Sequence, residues 1–302
     1  MELYLVGKLL KEFRLRRGFT QEDLSDVCAV ATISRIENGS QVPSRRIVEA
    51  LFQKMGYKSP DNDVPATDSE LQRHILEKQM SKIVSQGNYE IKDFLNKYKN
   101  CAENMNVFET QAYLFYSAVY NAEHGFSHKS VLEQYNEALN LTFADYWEIK
   151  KNNEREFYLT QNELLIIANI AIEKYALGLQ DEAILIMEDL KSYYEKNIVD
   201  EDEREKHFSV ILLSLCNWYD DIRNLQKALE ICELGILNSS KVLFPAFVAN
   251  KGCILYKMGK KEEGFLIIKD AIKMFSYLKE EKRIKEAKQN LKTLFGIEIK
   301  DI

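Results

Sequence analysis

Near the N-terminus, Leu3, Val6, Leu9, Leu10 and Phe13 recur at spacings of three and four, while Lys8, Lys11, Arg14 and Arg16 fall between them. That pattern predicts a helix over residues 3–16 with one apolar face toward a core and its charges pointing elsewhere. Gly18 ends it. Thr20 opens a second predicted helix, because "TQEDL" places Asp23 three residues after a Thr, close to the reciprocal capping pattern of helix N-termini. Leu24 and Val27 continue its apolar face. After a turn through Cys28 and Ala29, "VATISRIEN" reads as a third helix with Ile33 and Ile36 buried and Asn38-Gly39 as its stop. Ser44 caps a fourth, "RRIVEALFQKMG", with Ile47, Val48, Leu51 and Met55 inward.

The next stretch breaks the pattern. "YKSPDNDVPATDSE", residues 57–70, holds two of the chain's four prolines and reads as a connector. Helical periodicity resumes near Asp68 and then repeats. "VANKGCILYKMGKKEEGFLIIKDAI", residues 248–272, resembles a tetratricopeptide (TPR) unit, with Asn250, Gly252, Leu255, Gly259, Gly264 and Ala271 in its characteristic places. Small residues are needed there because two helices cross closely. Four upstream stretches align with it, through Cys216, Tyr219, Ala228 and Gly235; through Ala171, Gly178, Ala183 and Leu190; through Gly125 and Ala138; and through Gly87 and Tyr89. The longer intervals between units predict extended helices around 139–158 and 186–207. "EEKRIKEAKQNLKTLFG" reads as a polar capping helix.

The expected fold is therefore all-α. A helical bundle over residues 1–57 is followed by a linker over 58–67. Residues 68–302 then form a right-handed TPR-like solenoid of about five helix pairs with a C-terminal capping helix. With only 12 Gly and 4 Pro in 302 residues, the composition leaves long helices uninterrupted. Charge adds a division: residues 1–58 carry ten Lys/Arg against seven Asp/Glu, and the rest carry 31 against 40. A basic head on an acidic body points to the head as the part that meets an acidic polymer. The five cysteines form no C-x-x-C pair and lie in apolar patterns, so buried free thiols are expected. No apolar run is long enough to span a membrane and the N-terminus lacks the order of a secretory signal, which predicts a cytoplasmic protein with no membrane partner.

"TQEDL" and "ISRIENG…PS" together resemble the helix-turn-helix domain of the phage-repressor (XRE/Cro) class, over residues 1–57. Ala29 stands where that class commonly has a Ser or Thr cap. The resemblance implies that the third helix lies in the DNA major groove, read through its N-terminal residues. With Ile33 and Ile36 inward, Val30, Ala31, Thr32, Ser34 and Arg35 remain to face bases. Val30, Ala31 and the Thr32 methyl suit thymine methyls, and Arg35 suits a guanine edge or a phosphate. Gln21 matches a position that contacts the DNA backbone in the class. Asn38, Ser40, Arg45 and Arg46 are placed to hold phosphates. Glu37 is expected to be structural, since an acid facing DNA would be repelled.

A helix-turn-helix head followed by about five TPR-like pairs resembles the RRNPP family of peptide-responsive regulators. The resemblance implies a bacterial transcription factor of the quorum-sensing type. It would be a homodimer on an inverted-repeat operator in double-stranded DNA, controlled by a short signalling peptide in the concave TPR groove. In the repeat alignment the inner face carries Tyr116, Tyr120, Asn169, Tyr175, Asn217, Asn250, Tyr256 and Lys257. The family's paired-Asn peptide contacts would map to Asn169, Asn217 and Asn250, whose amides can pair both ways with an extended backbone. An XRE-type repressor whose TPR domain binds a protein partner is the alternative, and a pure scaffold is a third reading that the basic head disfavours. No phosphate loop, catalytic triad or metal-ligand set stands out, so neither an enzyme nor a cofactor is expected.

Overall fold

The computed structural model describes residues 3–41, 43–57, 68–101, 104–152, 158–196, 201–239 and 242–296. Among them the ordered elements are helices, with no strand. The chain divides into two compact units, residues 1–173 and 174–302. The helices of residues 3–57 and the first helices of the body belong to the same unit. The expected linker, 58–67, lies outside the described residues, as do Val42 and the chain's last six residues.

In the first unit, α1 (Leu3–Arg17), α2 (Val30–Glu37) and α3 (Arg45–Lys54) enclose a core of Val6, Leu10, Leu24, Ile33, Ile36, Val48, Leu51, Phe52 and Met55. All but Phe52 are inward positions that the periodicity assigns. Two expectations are corrected. The second helix is a single 3-10 turn, Glu22–Leu24. The capping pattern does close, with the Asp23 carboxylate accepting from the Thr20 amide at 2.6 Å and the Thr20 hydroxyl accepting from the Asp23 amide at 3.1 Å. Propagation fails because Ser25, Asp26 and the β-branched Val27 are poor helix formers. Arg14, expected among the outward charges, is buried. Its guanidinium donates to both Glu37 oxygens at 2.6 and 2.9 Å and to the Phe19 carbonyl at 2.8 Å. Glu37 is structural as expected: only 6% exposed, it joins α1 to the end of α2.

The body follows as helix pairs. α4 (Asp68–Ser85) and α5 (Lys92–Lys99) form the first, α6 (Val107–Glu123) and α7 (His128–Phe143) the second. A short α8 (Tyr146–Asn152), then α9 (Gln161–Ala176) and α10 (Gln180–Lys196), follow along the chain. α11 (Glu201–Asp221) with α12 (Leu225–Asn238), and α13 (Phe244–Lys257) with α14 (Lys261–Tyr277), complete the pairs. α15 (Glu281–Phe295) packs on α14 and α13, as the capping helix was expected to. The extended helix expected around 139–158 is not found: α7 stops at Phe143 before a separate α8. The one expected around 186–207 falls partly outside the described residues, with α10 described to Lys196 and α11 from Glu201. The turn between helices of a pair repeats one left-handed conformation, at Gly125 (φ 82°) and Gly259 (φ 92°) and also at Arg223 (φ 63°), where no glycine marks it. Gly252 and Gly264 serve the close crossing of α13 and α14: a Cβ on either would lie 2.8 or 2.5 Å from the other's carbonyl oxygen. All five cysteines are free, but only Cys216, Cys232 and Cys253 are buried; Cys28 and Cys101 sit half-buried outside the helices.

Head and body meet through buried charge. Arg17, at the end of α1, donates to both oxygens of Glu163 on α9, at 2.7 and 2.8 Å. Their side chains are 1% and 0% exposed. The guanidinium carbon sits 3.8 Å from the Phe143 ring centroid and 4.4 Å from that of Tyr57. Glu163 also accepts from the Thr142 hydroxyl at 2.6 Å and the Thr160 amide at 2.8 Å. Around this pair Phe13 packs on Tyr158, and the Tyr57 hydroxyl donates to the Tyr158 carbonyl at 2.6 Å. Arg73 of α4, itself buried, donates to one oxygen of Glu109 on α6 at 3.1 Å. Glu109 and Glu163 each close the capping box of their own helix and accept a buried arginine from elsewhere.

Gly7 provides a test of the head's packing. A Cβ there would stand 2.0 Å from the Ile36 carbonyl oxygen, where α1 crosses α2. Intrinsic propensity favours Ala over Gly inside a helix by about 1 kcal/mol. Backbone contact reverses the sign: Gly7→Ala should destabilise the chain by about 1–3 kcal/mol, as overpacking does. Denaturant unfolding measures it, and an unchanged or raised midpoint contradicts the crossing.

Candidate functional site

The head's outward surface is what its core leaves over. On α2, Ile33, Ile36 and Glu37 are buried, Ala31 and Arg35 are exposed, and Val30, Thr32 and Ser34 are partly exposed. Ala29 begins the helix with no side-chain cap, so the first amides of α2 keep hydrogen-bonding capacity. Arg35 spends one donor on its own helix, Nε to the Ala31 carbonyl at 3.0 Å. It pairs with neither Glu37 nor Glu22; Arg14 takes Glu37 instead. The rest of its guanidinium fork points outward.

Three of the expected phosphate contacts are partly committed to local structure. Gln21 donates from its amide to Glu37 at 2.8 Å. The Ser40 hydroxyl lies 2.5 Å from Asn38 Oδ1 and 3.2 Å from the Arg35 carbonyl, so Asn38 and Ser40 close the turn after α2. Gly39, with φ 77°, makes that turn possible. Ser44 caps α3 by accepting from the Ile47 amide at 3.4 Å. Arg46 is exposed in the first turn of α3, beside the unpaired amides of a helix N-terminus. Arg45 begins the same helix; its side chain is outside the described residues.

The expected inner-face residues divide between the two units. In the first, Tyr116 is 6% exposed with its ring edge-on to Phe115, so it packs the core of its repeat. Tyr120 stacks on His124 at 3.8 Å. Asn169 donates to the Leu165 carbonyl at 2.8 Å and accepts from the Tyr135 hydroxyl at 3.3 Å, which commits much of its amide to its own helix and to α7.

The second unit brings its residues together. Asn250 on α13 donates to Asn217 Oδ1 on α11 at 2.7 Å. Lys257, two turns further along α13, meets Asp220, one turn further along α11, at 2.5 Å. Tyr175 stacks flat on Trp218, 4.3 Å between centroids and 5° between planes, and its hydroxyl donates to Asp221 at 3.1 Å. Burial first, then the Asp221 carboxylate, pushes the Tyr175 hydroxyl up to about 12, so it remains a neutral donor at physiological pH. Lys261 lies 5.6 Å over the Tyr256 ring. The asparagine pair leaves one amide N–H₂ on Asn217 and one carbonyl oxygen on Asn250, the donor and acceptor that an extended peptide backbone needs. Sequence reasoning missed Trp218 and Asp221, because a repeat consensus marks the positions that pack, and the partners of an inner tyrosine follow no consensus. It also missed Arg17 and Glu163. "TQNE", residues 160–163, does carry a capping-box signal for Glu163, but nothing local announces a partner 146 residues away.

Residues 5–61 match a family model described as a helix-turn-helix domain (HTH_31). No curated protein sequence matches the chain. Its fold is similar to that of PlcR from Bacillus thuringiensis in complex with the peptide PapR7 and DNA, with a TM-score of 0.59 at 18% identity, over 94% of this chain and 99% of that one. It is similar to the competence regulator ComR from Streptococcus vestibularis with its cognate signalling peptide XIP, with a TM-score of 0.50 at 15% identity, over 97% and 99%. The apo form of ComR from S. thermophilus gives 0.51 at 18% identity, over 95% and 98%. The chain thus carries a helix-turn-helix domain over residues 5–61, and its fold over nearly the whole length is similar to those of PlcR and ComR.

Proposed function

We propose that this chain is a sequence-specific DNA-binding transcriptional regulator of the bacterial cytoplasm, controlled by a short peptide bound on the inner face of its repeats. The observation that carries the reading is the division of labour on α2. Ile33, Ile36 and Glu37 face the core, while Val30, Ala31, Thr32, Ser34 and Arg35 face away from it. A helix-turn-helix head with that outer face suits the major groove. One small head contacts limited surface, so tight specific binding calls for two, on a homodimer and an inverted repeat. Half-sites then lie about one helical turn, or a multiple of it, apart.

The peptide half of the proposal draws on the solved structures whose fold this chain shares, PlcR with PapR7 and ComR with XIP. In this chain it is supported by the Asn217–Asn250 pair, flanked by the stacked Tyr175 and by Tyr256 and Lys257. A buried amide of a bound strand left without a partner costs about 1–3 kcal/mol. Paired asparagines meet such amides without dictating sequence, and the surfaces between them select side chains. Tyr116 and Asn169, committed to their own repeats, have the lesser part. A ligand shifts DNA binding only by its differential affinity for the two states it connects.

Two measurements test the two halves. Arg35→Ala should weaken specific operator binding by about 1–3 kcal/mol in a titration against the footprinted site, as loss of a base-reading arginine does. Unchanged affinity removes Arg35 from base reading. Asn217→Ala should lower peptide affinity about tenfold, about 1.4 kcal/mol, in calorimetry against peptides encoded by short genes beside this one, and leave DNA binding by the unliganded protein intact. Equal affinity in both proteins removes the asparagine pair. Failure of every such peptide to bind would favour a protein partner on the same face.

A further inference from the structure

Helix α14 packs Ile268, Ala271, Ile272 and Phe275 into its repeat. Its other side carries Leu266, Asp270, Lys273 and Tyr277 in the open. Leu266 is 59% exposed and Tyr277 is 93% exposed; the Asp270 and Lys273 side chains are each 56% exposed. Spacings of four, three and four residues align them as one stripe along the helix. The stripe reads apolar, acidic, basic, apolar, and each apolar residue stands four positions outside the charged pair. Along this stripe opens a cavity of about 560 Å³, walled by Ser239, Phe244, Pro245 and Met274 and by Asp270, Lys273 and Tyr277 of the stripe itself. Leu237 and Val242, 82% and 54% exposed, lie within two residues of its wall in sequence.

A helix laid antiparallel on its own copy across a two-fold axis sets each residue opposite the one equally far beyond the axis. If the axis passes between Asp270 and Lys273, Asp270 of each copy faces Lys273 of the other. Leu266 of each copy then faces Tyr277 of the other, at the mouth of its cavity. A foreign partner would account for an apolar patch but not for this order of residues. We propose that α14 is a self-pairing helix covered by a second copy of this chain, with Leu266 of each protomer entering the cavity beside the other's Tyr277. The inference rests on the homodimer reading above and names the surface that reading lacks.

In the single chain Lys273 and Asp270 pair with each other at 2.9 Å. Across the axis they exchange that contact for two intermolecular ones. Exposed charge pairs contribute little binding energy but select register and partner. Burial of Leu266 and Tyr277 supplies most of the affinity.

The test is sedimentation of the full chain and its variants. The wild type should be a dimer, and Leu266→Arg should weaken it by about a hundredfold. Asp270→Lys and Lys273→Asp should each weaken it about tenfold, by setting like charges opposite one another. An equimolar mixture of those two variants should recover wild-type affinity as a heterodimer, since every facing pair is again opposite in sign. The Asp270→Lys/Lys273→Asp double variant should recover it as a homodimer. A dimeric wild type whose variants all pair as tightly overturns this surface and leaves the homodimer reading standing. A wild type that stays monomeric overturns the homodimer reading and this surface with it.

Discussion

An arginine buried to 2% exposure has to be met by charge and hydrogen bonds, because the desolvation of an isolated guanidinium exceeds what ordinary packing returns. Arg17 is met by a two-pronged Glu163 whose own position is fixed by the Thr160 amide and the Thr142 hydroxyl. Phe143 and Tyr57 cover the faces of the cation. The pair ties the last turn of α1 to the first turn of α9. Removing one partner would strand the other in an apolar interior at a cost of about 3–5 kcal/mol. The helix-turn-helix head is thus seated on α7 and α9 of the body by buried charge.

That seat shapes the functional surface. The basic balance of residues 1–58 includes Arg14 and Arg17, and both are consumed internally, Arg14 by Glu37 and Arg17 by a glutamate outside the head. What remains outward is placed by the same contacts. Glu37, held by Arg14 and Gln21, fixes the end of α2, so Arg35 and the residues before it project from a rigid helix. In the second unit the residues proposed for the inner face are likewise paired, Asn217 with Asn250 and Asp220 with Lys257, and leave part of their hydrogen-bonding capacity unspent.

Periodicity and small residues made most of the architecture legible. Leu10, Ile33, Ile36 and Leu51 were readable as core from their spacing, and Gly252 and Gly264 as a helix crossing. What escaped were interactions that local pattern cannot encode. A charge on a helix reads as solvated, so Arg14 and Arg17 were invisible as interior residues. Asn169, Asn217 and Asn250 look equivalent in a repeat alignment. Asn169 is drawn into its own helix and toward Tyr135, while the other two pair across repeats. The second head helix shortened to one turn because its cap signal was sound and its continuation, Ser25–Val27, was not.

The head and the body helices that seat it should open as one body, and native-state hydrogen exchange tests that directly. In the wild type, the slowest amides of α2, at Ile33 and Ile36, should share one opening free energy with those of α9 at Ile166 and Ile167. Glu163→Gln, which keeps the shape and removes the charge, should lower both sets by the same amount, about 3 kcal/mol. Exchange at Ile33 and Ile36 that is unaffected by the substitution would mean the head opens on its own, and would contradict the seat.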